Sequence, residues 1–321
     1  MSIRSTIDIL KNNLDSYVIK DNAEMCKIVL RAKTVVFLDT CFMSSLLKFD
    51  ELSLSDLLER IVGERGSKSI VLVITEMVLY ESRDSRDNTV QQFIHKIVDL
   101  AKENNIPVVL LSEESFYKEL QPYFSRSHEE WNKLFLERLK ENKANLIKIL
   151  GLISSDKEQL FDDTFVVSSA KAKDKELICE SIQRIKERKS DKDSLAEELI
   201  CVVIFFLLDI FLSSNKRKII FCSNDNRALA IVKMTLATSY GNRCTCFENI
   251  HLFMLIQYMV KNKLLNDKQE VIELLRKNMA EELWVVEQKD LPYVETEQKM
   301  NLKEIVDGIF EGKVYQYKGN H

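Results

Sequence analysis

Acidic residues stand just beyond three runs of apolar, strand-forming chain. Asp39 directly follows "TVVFL" (34–38), Glu76 and Glu81 follow "IVLVIT" within "EMVLYE", and Asp225 follows "IIFC" within "SNDNRAL". A fourth acidic stretch, "SDKDSLAEELI", opens an apolar helix and carries Asp191, Asp193, Glu197 and Glu198. Carboxylates drawn close together repel one another unless a cation lies between them. Hard oxygen donors of this kind suit Mg²⁺ or Mn²⁺. The residue types therefore favour a divalent-metal site, provided that the fold brings them together.

The elements that must do so are legible as an alternation of strands and helices. Residues 4–32 follow an amphipathic helical pattern interrupted near "KDNA", and are expected to pack outside a sheet. Strands are predicted at 34–38, at 69–75, over "IPVVLLS", over "KIIFCS" and, shorter, over "RCTCFE". Helices are predicted around "SLSDLLERIVGE", through the long stretch after Glu76, at 226–238 and over "NIHLFMLIQYMVKNKLL". From about 124 to 190 the pattern changes to charged helices, a solvated insertion whose linker at 154–175 is the expected mobile loop. Beyond about 264 the chain reads as helical with a polar tail. Strands alternating with helices imply an α/β domain with a parallel sheet covered on both faces. In such sheets ligands bind beyond the carboxyl ends of the strands, which is where Asp39 and Asp225 fall.

Four motifs taken in order, "FLDTCF", "VITEMVLYE", "KDSLAEELI" and "FCSNDNRAL", resemble those of the PIN-domain nucleases. The resemblance covers roughly 34–255. It implies a PIN-like domain at 33–260 with a helical insertion at about 124–190, preceded by an N-terminal helical segment (1–32) and followed by a C-terminal helical extension and tail (261–321). It also implies catalytic and metal-binding roles for Asp39, Glu81, Asp193 and Asp225, with Glu197, one helical turn after Asp193, as an extra metal ligand. Asp191, Asp193, Glu197 and Glu198 remain alternatives for the helix position. Thr40, Asn224, Arg83 and Arg227 are the residues placed to meet substrate, the two arginines through phosphate. The expected activity is a metal-dependent endoribonuclease that leaves 5′-phosphate and 3′-hydroxyl ends, with RNA ahead of DNA as substrate. The alternatives are a DNA nuclease, or a PIN-like module that binds a protein partner through the helical insertion and cleaves nothing.

Each residue also has a plainer reading. Asp39 suits the cap of a turn, and Glu76 and Glu197 suit the first turn of a helix. Ser223 and Asn224 fit a hydrogen bond to a neighbouring loop as well as one to phosphate. His95 and His251 read as partly buried structural histidines. Other phosphate chemistries fit less well. Cys41 stands where a haloacid-dehalogenase phosphatase needs its second aspartate, and the seven glycines form no phosphate-binding loop after a strand. A G-x-S-x-G elbow is lacking.

Composition narrows the setting. The 321 residues are 45% hydrophobic with a formal net charge of −4, so nucleic-acid contacts have to come from a local basic patch. Seven cysteines in apolar surroundings are used as free core thiols, which implies a reducing cytoplasm. Cys244 and Cys246 form a C-x-C without the partners that zinc needs. The run "LICVVIFFLLDIFL" is interrupted by Asp209 and falls short of the roughly 20 residues of a bilayer crossing, so it reads as a buried helix. No secretory leader and no membrane partner are expected.

Overall fold

The computed structural model describes residues 2–46, 70–84, 89–124, 126–141, 173–188, 195–211, 217–224, 246–288 and 297–319. Asp191, Asp193, Asp225 and Arg227 lie outside these residues. So do the helices expected around 53–64 and at 226–238, Cys244, and the 154–175 linker up to residue 172.

A six-stranded parallel sheet forms the centre of the molecule, in the order β1 (Val18–Ile19), β4 (Val108–Leu111), β3 (Ile70–Thr75), β2 (Thr34–Leu38), β5 (Lys218–Cys222), β6 (Phe247–Ile250). Every residue of β2, β3 and β4 is buried. That is the signature of strands covered on both faces, and it explains their continuous rather than alternating apolar runs. On one side of β2, Thr34 pairs with Ile70, and on the other with Lys218. The chain thus runs outward from β2 through β3 to β4, then crosses to β5 on the opposite side. The β2–β5 boundary is the switch point at which such sheets open a crevice.

Helices α1 (Ile3–Asn13), α2 (Asn22–Arg31), α4 (Glu76–Glu81), α6 (Glu113–Leu120), α8 (Leu177–Arg188) and α9 (Ala196–Phe211) form a linked set: α4 and α6 both touch α9, α6 touches α2 and α8, and α1 touches α4 and α8. A second set joins α3 (Thr40–Leu46) to α5 (Thr89–Glu103) and α10 (Leu252–Lys261). Helix α9 is buried along nearly its whole length, as its uniformly apolar sequence requires. No helix among the described residues is long and apolar enough to cross a membrane.

Four expectations need correction. The N-terminal segment does not lie wholly outside the sheet. Between its two helices, Val18 and Ile19 pair with Val108 and Val109 as an edge strand, and the Tyr17 hydroxyl donates to the Ile106 carbonyl at 3.0 Å. The last strand of the sheet, Phe247–Ile250, runs on past the expected end at 248, because pairing with Ile219–Cys222 draws "NI" out of the predicted helix and His251 caps α10 instead.

The insertion is not simply solvated either. Trp131, on α7 (His128–Glu141), is fully buried and stacks on Phe124 and Phe205, with ring centroids 4.4 and 5.4 Å away. Ile178, Ile182 and Ile185 of α8 are buried as well. Finally, the C-terminal extension is not only helical. Beside α11 (Lys268–Asn278) and α12 (Leu302–Phe310) it builds an antiparallel sheet in the order β8 (Glu297–Asn301), β7 (Glu282–Gln288), β9 (Val314–Gly319). Leu283, Val285 and Val286 are buried in β7, and the break in alternation falls where its pairing with β9 shifts register, between Trp284 and Val285.

Candidate metal centre

Asp39 leaves β2 at the switch point and is fully buried. Its amide donates to the Cys222 carbonyl of β5 at 3.1 Å, and its own carbonyl accepts from Met43 as α3 begins. The side chain does not cap that helix. Its Oδ2 accepts from the Cys41 thiol at 2.6 Å and from the Ser223 hydroxyl at 2.8 Å, while Oδ1 is buried with no hydrogen-bond partner among the described residues. Asp39 also has no ion-pair partner among the described residues. The turn-capping reading of Asp39 therefore does not hold.

Glu197 comes to the same place from the first turn of α9. Asp39, Cys41 and Glu197 each offer a ligand atom, and these lie within 4.8 Å of one another. Glu81, at the end of α4, accepts from the backbone N–H groups of Leu195 and Ala196 at 2.7 and 3.2 Å. A carboxylate there satisfies two otherwise orphaned donors at the start of α9 and is favoured by the helix dipole. Glu81 thereby fixes the turn that carries Glu197. Burial foremost, and then the charge of Glu197 with a smaller contribution from Glu81, pushes the Asp39 carboxyl up to about 8, against the two hydrogen bonds that favour its ionised form. The Cys41 thiol is pushed well above its ordinary value by burial and by the Asp39 charge. In the metal-free protein it donates its proton to Asp39. The hard donors at the site are the carboxylate oxygens of Asp39 and Glu197.

The neighbouring strand ends show what the protein does with acids when it supplies the cation itself. Glu76 follows β3 and Glu113 follows β4, and both are buried. Lys186 of α8, itself buried, reaches in to Glu76 at 2.9 Å and to Glu113 and Glu114 at 2.5 Å each, and Lys11 of α1 also pairs with Glu76. Burial opposes the Lys186 charge, but the glutamates outweigh it and hold the ammonium well above its ordinary value. Glu76 is thus an ion-paired core residue rather than a simple first-turn acid. Of Glu76 and Glu81, Glu81 is the one whose charge acts on Asp39.

The remaining site residues divide. Thr40 Oγ1 is buried without a hydrogen-bond partner beside Asp39. The Asn224 amide donates to Ser45 at 2.8 Å and accepts from Leu252 N–H at 3.0 Å, so both of its ends tie α3 to the start of α10. Of its two open readings the structural one is observed, and the same holds for Ser223, which is spent on Asp39. Arg83 lies over the Tyr80 ring, 3.5 Å from its centroid. His251 is buried, accepts from Phe253 N–H at 3.1 Å and is pushed down to about 4 by burial, which fits its structural reading. The six described cysteines are free thiols.

Sequence reasoning missed two features. Cys41 was read only for what it excluded, and its role as a donor depends on the turn after β2. Glu113 and Glu114 do follow the strand run "VVLL", a signal of the same kind as Asp39 after "TVVFL". Lys186 could not have been found, because it comes from a charged helix remote in sequence.

Comparison of the chain with protein-family models, with curated proteins and with solved structures returns no match. The functional reading therefore stands on the site itself.

Proposed function

We propose that this protein is a divalent-metal-dependent nuclease of PIN-like design, acting on RNA as an endonuclease. The observation that carries the proposal is the Asp39 carboxylate: fully buried, held through one oxygen by Cys41 and Ser223, with its other oxygen unpartnered and Glu197 at hand. Burying a carboxylate without a compensating cation is costly, and at the adjacent strand ends Lys186 supplies one. At Asp39 the donor set of hard oxygens fits Mg²⁺ or Mn²⁺. Asp39, Glu197 and Glu81 would hold the ion, joined by Asp193 and Asp225 from the sequence motifs. Such an ion would acidify a water molecule and offset the charge that builds on a phosphodiester during its hydrolysis.

The chain's own residues prepare the site. Cys41 and Ser223 fix the Asp39 rotamer through Oδ2, so that Oδ1 is the oxygen presented. Glu81 braces the N-terminus of α9 and sets Glu197. Arg227, from the sequence, and Arg83, stacked on Tyr80, are the cations assigned to phosphate.

The test is cleavage of single-stranded and structured RNA by the purified chain with Mg²⁺ or Mn²⁺, with the fragment ends mapped. Cleavage to 5′-phosphate and 3′-hydroxyl ends that disappears in Asp39→Asn supports the reading. Metal-dependent cleavage of DNA alone would reassign the substrate. No cleavage of either, with no thermal response to metal, would leave the chain a binding module.

A further inference from the structure

Among the described residues, no strand pairs with the outer edge of the parallel sheet. Strand β6 is last in the sheet order and has β5 as its one strand neighbour there. Cys246 and Ile250 turn their carbonyls toward β5, accepting from Ile219 and Ser223 at 2.6 and 3.2 Å. Peptide groups alternate along a strand, so Phe247 and Asn249 face theirs to the open side. The Asn249 side chain adds a buried Oδ1 with no hydrogen-bond partner.

This edge forms one wall of a groove of about 850 Å³, whose other walls are α10 and the turn from α12 into β9. A space of that size holds a run of several residues rather than one side chain. Met254 and Val314 line it, two of the five large apolar side chains that stand exposed among the described residues. Lys261, Lys263 and Lys313 also line it. Lys261 and Lys263 have no ion-pair partner among the described residues, and Lys313 has only the exposed Glu311 at 3.4 Å. Glu248, the acidic residue of the lining, has Lys218 at 3.9 Å.

We propose that this groove docks an acidic, extended peptide segment of a partner protein. The segment adds to the sheet as a seventh strand beside β6, rests its apolar side chains on Met254 and Val314, and sets its carboxylates against Lys261, Lys263 and Lys313. An unpaired strand edge supplies main-chain hydrogen bonds to such a ligand, and the side-chain contacts give selectivity. The charge of the rim selects acidic over basic segments. A nucleic-acid strand is the poorer fit. The floor is apolar, three lysines make a short track for a phosphate backbone, and the groove lies two strands outward from the β2 end that carries Asp39. The proposal does not depend on the nuclease reading.

The test uses the full chain and a fluorescein-labelled octapeptide of alternating valine and glutamate, followed by fluorescence anisotropy at low salt. The controls are a valine–lysine octapeptide and an octauridylate. The acidic peptide is expected to bind about tenfold or more tightly than the basic one, and the double variant Lys261→Glu/Lys313→Glu to reverse that order. Asn249→Pro removes an outward-facing N–H while leaving the ladder to β5 intact, so it should weaken binding without changing the melting temperature. Asp39→Asn should bind like wild type, which separates this result from any outcome at the metal centre. Failure of the acidic peptide to bind, its displacement by the octauridylate, or indifference to both groove variants would overturn the proposal. So would a concentration-dependent dimer that these variants abolish, since the groove would then belong to a second copy of the chain.

Discussion

Replacing Asp39 by asparagine should stabilise the metal-free protein. The unfolded chain releases the Asp39 proton near 3.8, whereas the folded chain holds it until about 8. Between those values the folded state binds more protons, so this residue makes the wild type less stable as pH rises through that window. At about 1.4 kcal/mol per pH unit, the full gap amounts to roughly 6 kcal/mol above pH 8. Asparagine keeps an oxygen for Cys41 and Ser223 but places an amide NH₂ where Oδ1 has no partner. That unmet donor costs about 1–3 kcal/mol, which leaves a net gain of roughly 3 kcal/mol or more.

The assay is thermal melting in a chelator from pH 4 to pH 9. The variant should melt several degrees above wild type at pH 8 and somewhat below it near pH 4, where the carboxyl is protonated in both states and only the unmet amide donor counts. Adding Mn²⁺ or Mg²⁺ should then raise the wild type, by about 2.7 kcal/mol at a hundred times its dissociation constant, and leave Asp39→Asn unmoved. The reasoning fails if the variant is no more stable than wild type at pH 8, if the difference ignores pH, or if both proteins respond equally to metal.

The two helix acids should separate. Glu197→Gln should reduce the metal-induced rise in melting temperature and the rate of cleavage together, whereas Glu198→Gln, rotated about 100° around α9 from Glu197, should leave both near wild type; a titration of Mn²⁺ against both readouts decides. Lys186→Met should destabilise the fold by about 3–5 kcal/mol, because it strands the buried Glu113 without its cation, takes the cation from Glu114 and leaves Glu76 with Lys11 alone. Its stability should fall as pH rises and Glu113, whose carboxyl burial already pushes up, ionises without its cation, and adding Glu113→Gln should restore part of it in denaturant titrations. In the wild type Glu76 is held below its ordinary value, chiefly by Lys186 against the cost of burial, so its contribution is present at neutral pH and lost only as the solution is acidified below about 4.5. Gly308→Ala should cost about 1–3 kcal/mol, since the added Cβ would collide with the Tyr315 ring; a shift in Trp284 fluorescence at lower denaturant would report it.

The parallel sheet was legible because its strands are buried on both faces. "TVVFL" and "IVLVIT" are runs that a covered strand needs, and their ends lie within a residue of those expected. Asp39 was legible for the same reason: a carboxylate placed directly after a buried strand is costly unless something uses it. The short edge elements were not. Val18–Ile19 is too brief to carry a period, and the limits of β6 are set by pairing with β5 rather than by its own residues. The C-terminal strands were hidden by charged residues and by a break in alternation, since Val285 and Val286 of β7 are both buried beside its register shift.

Residue types and order therefore determined the sheet, the central helix and which acids follow strands. Which of those acids share a site was decided by tertiary structure alone. Glu76 and Glu81 stand at the two ends of one short helix, α4, yet a lysine from α8 neutralises the first, while the second braces α9 against Asp39. Local sequence records the charge of a side chain but not the charge that will face it. At this site the facing groups come from helices more than a hundred residues away, and only packing brings them there.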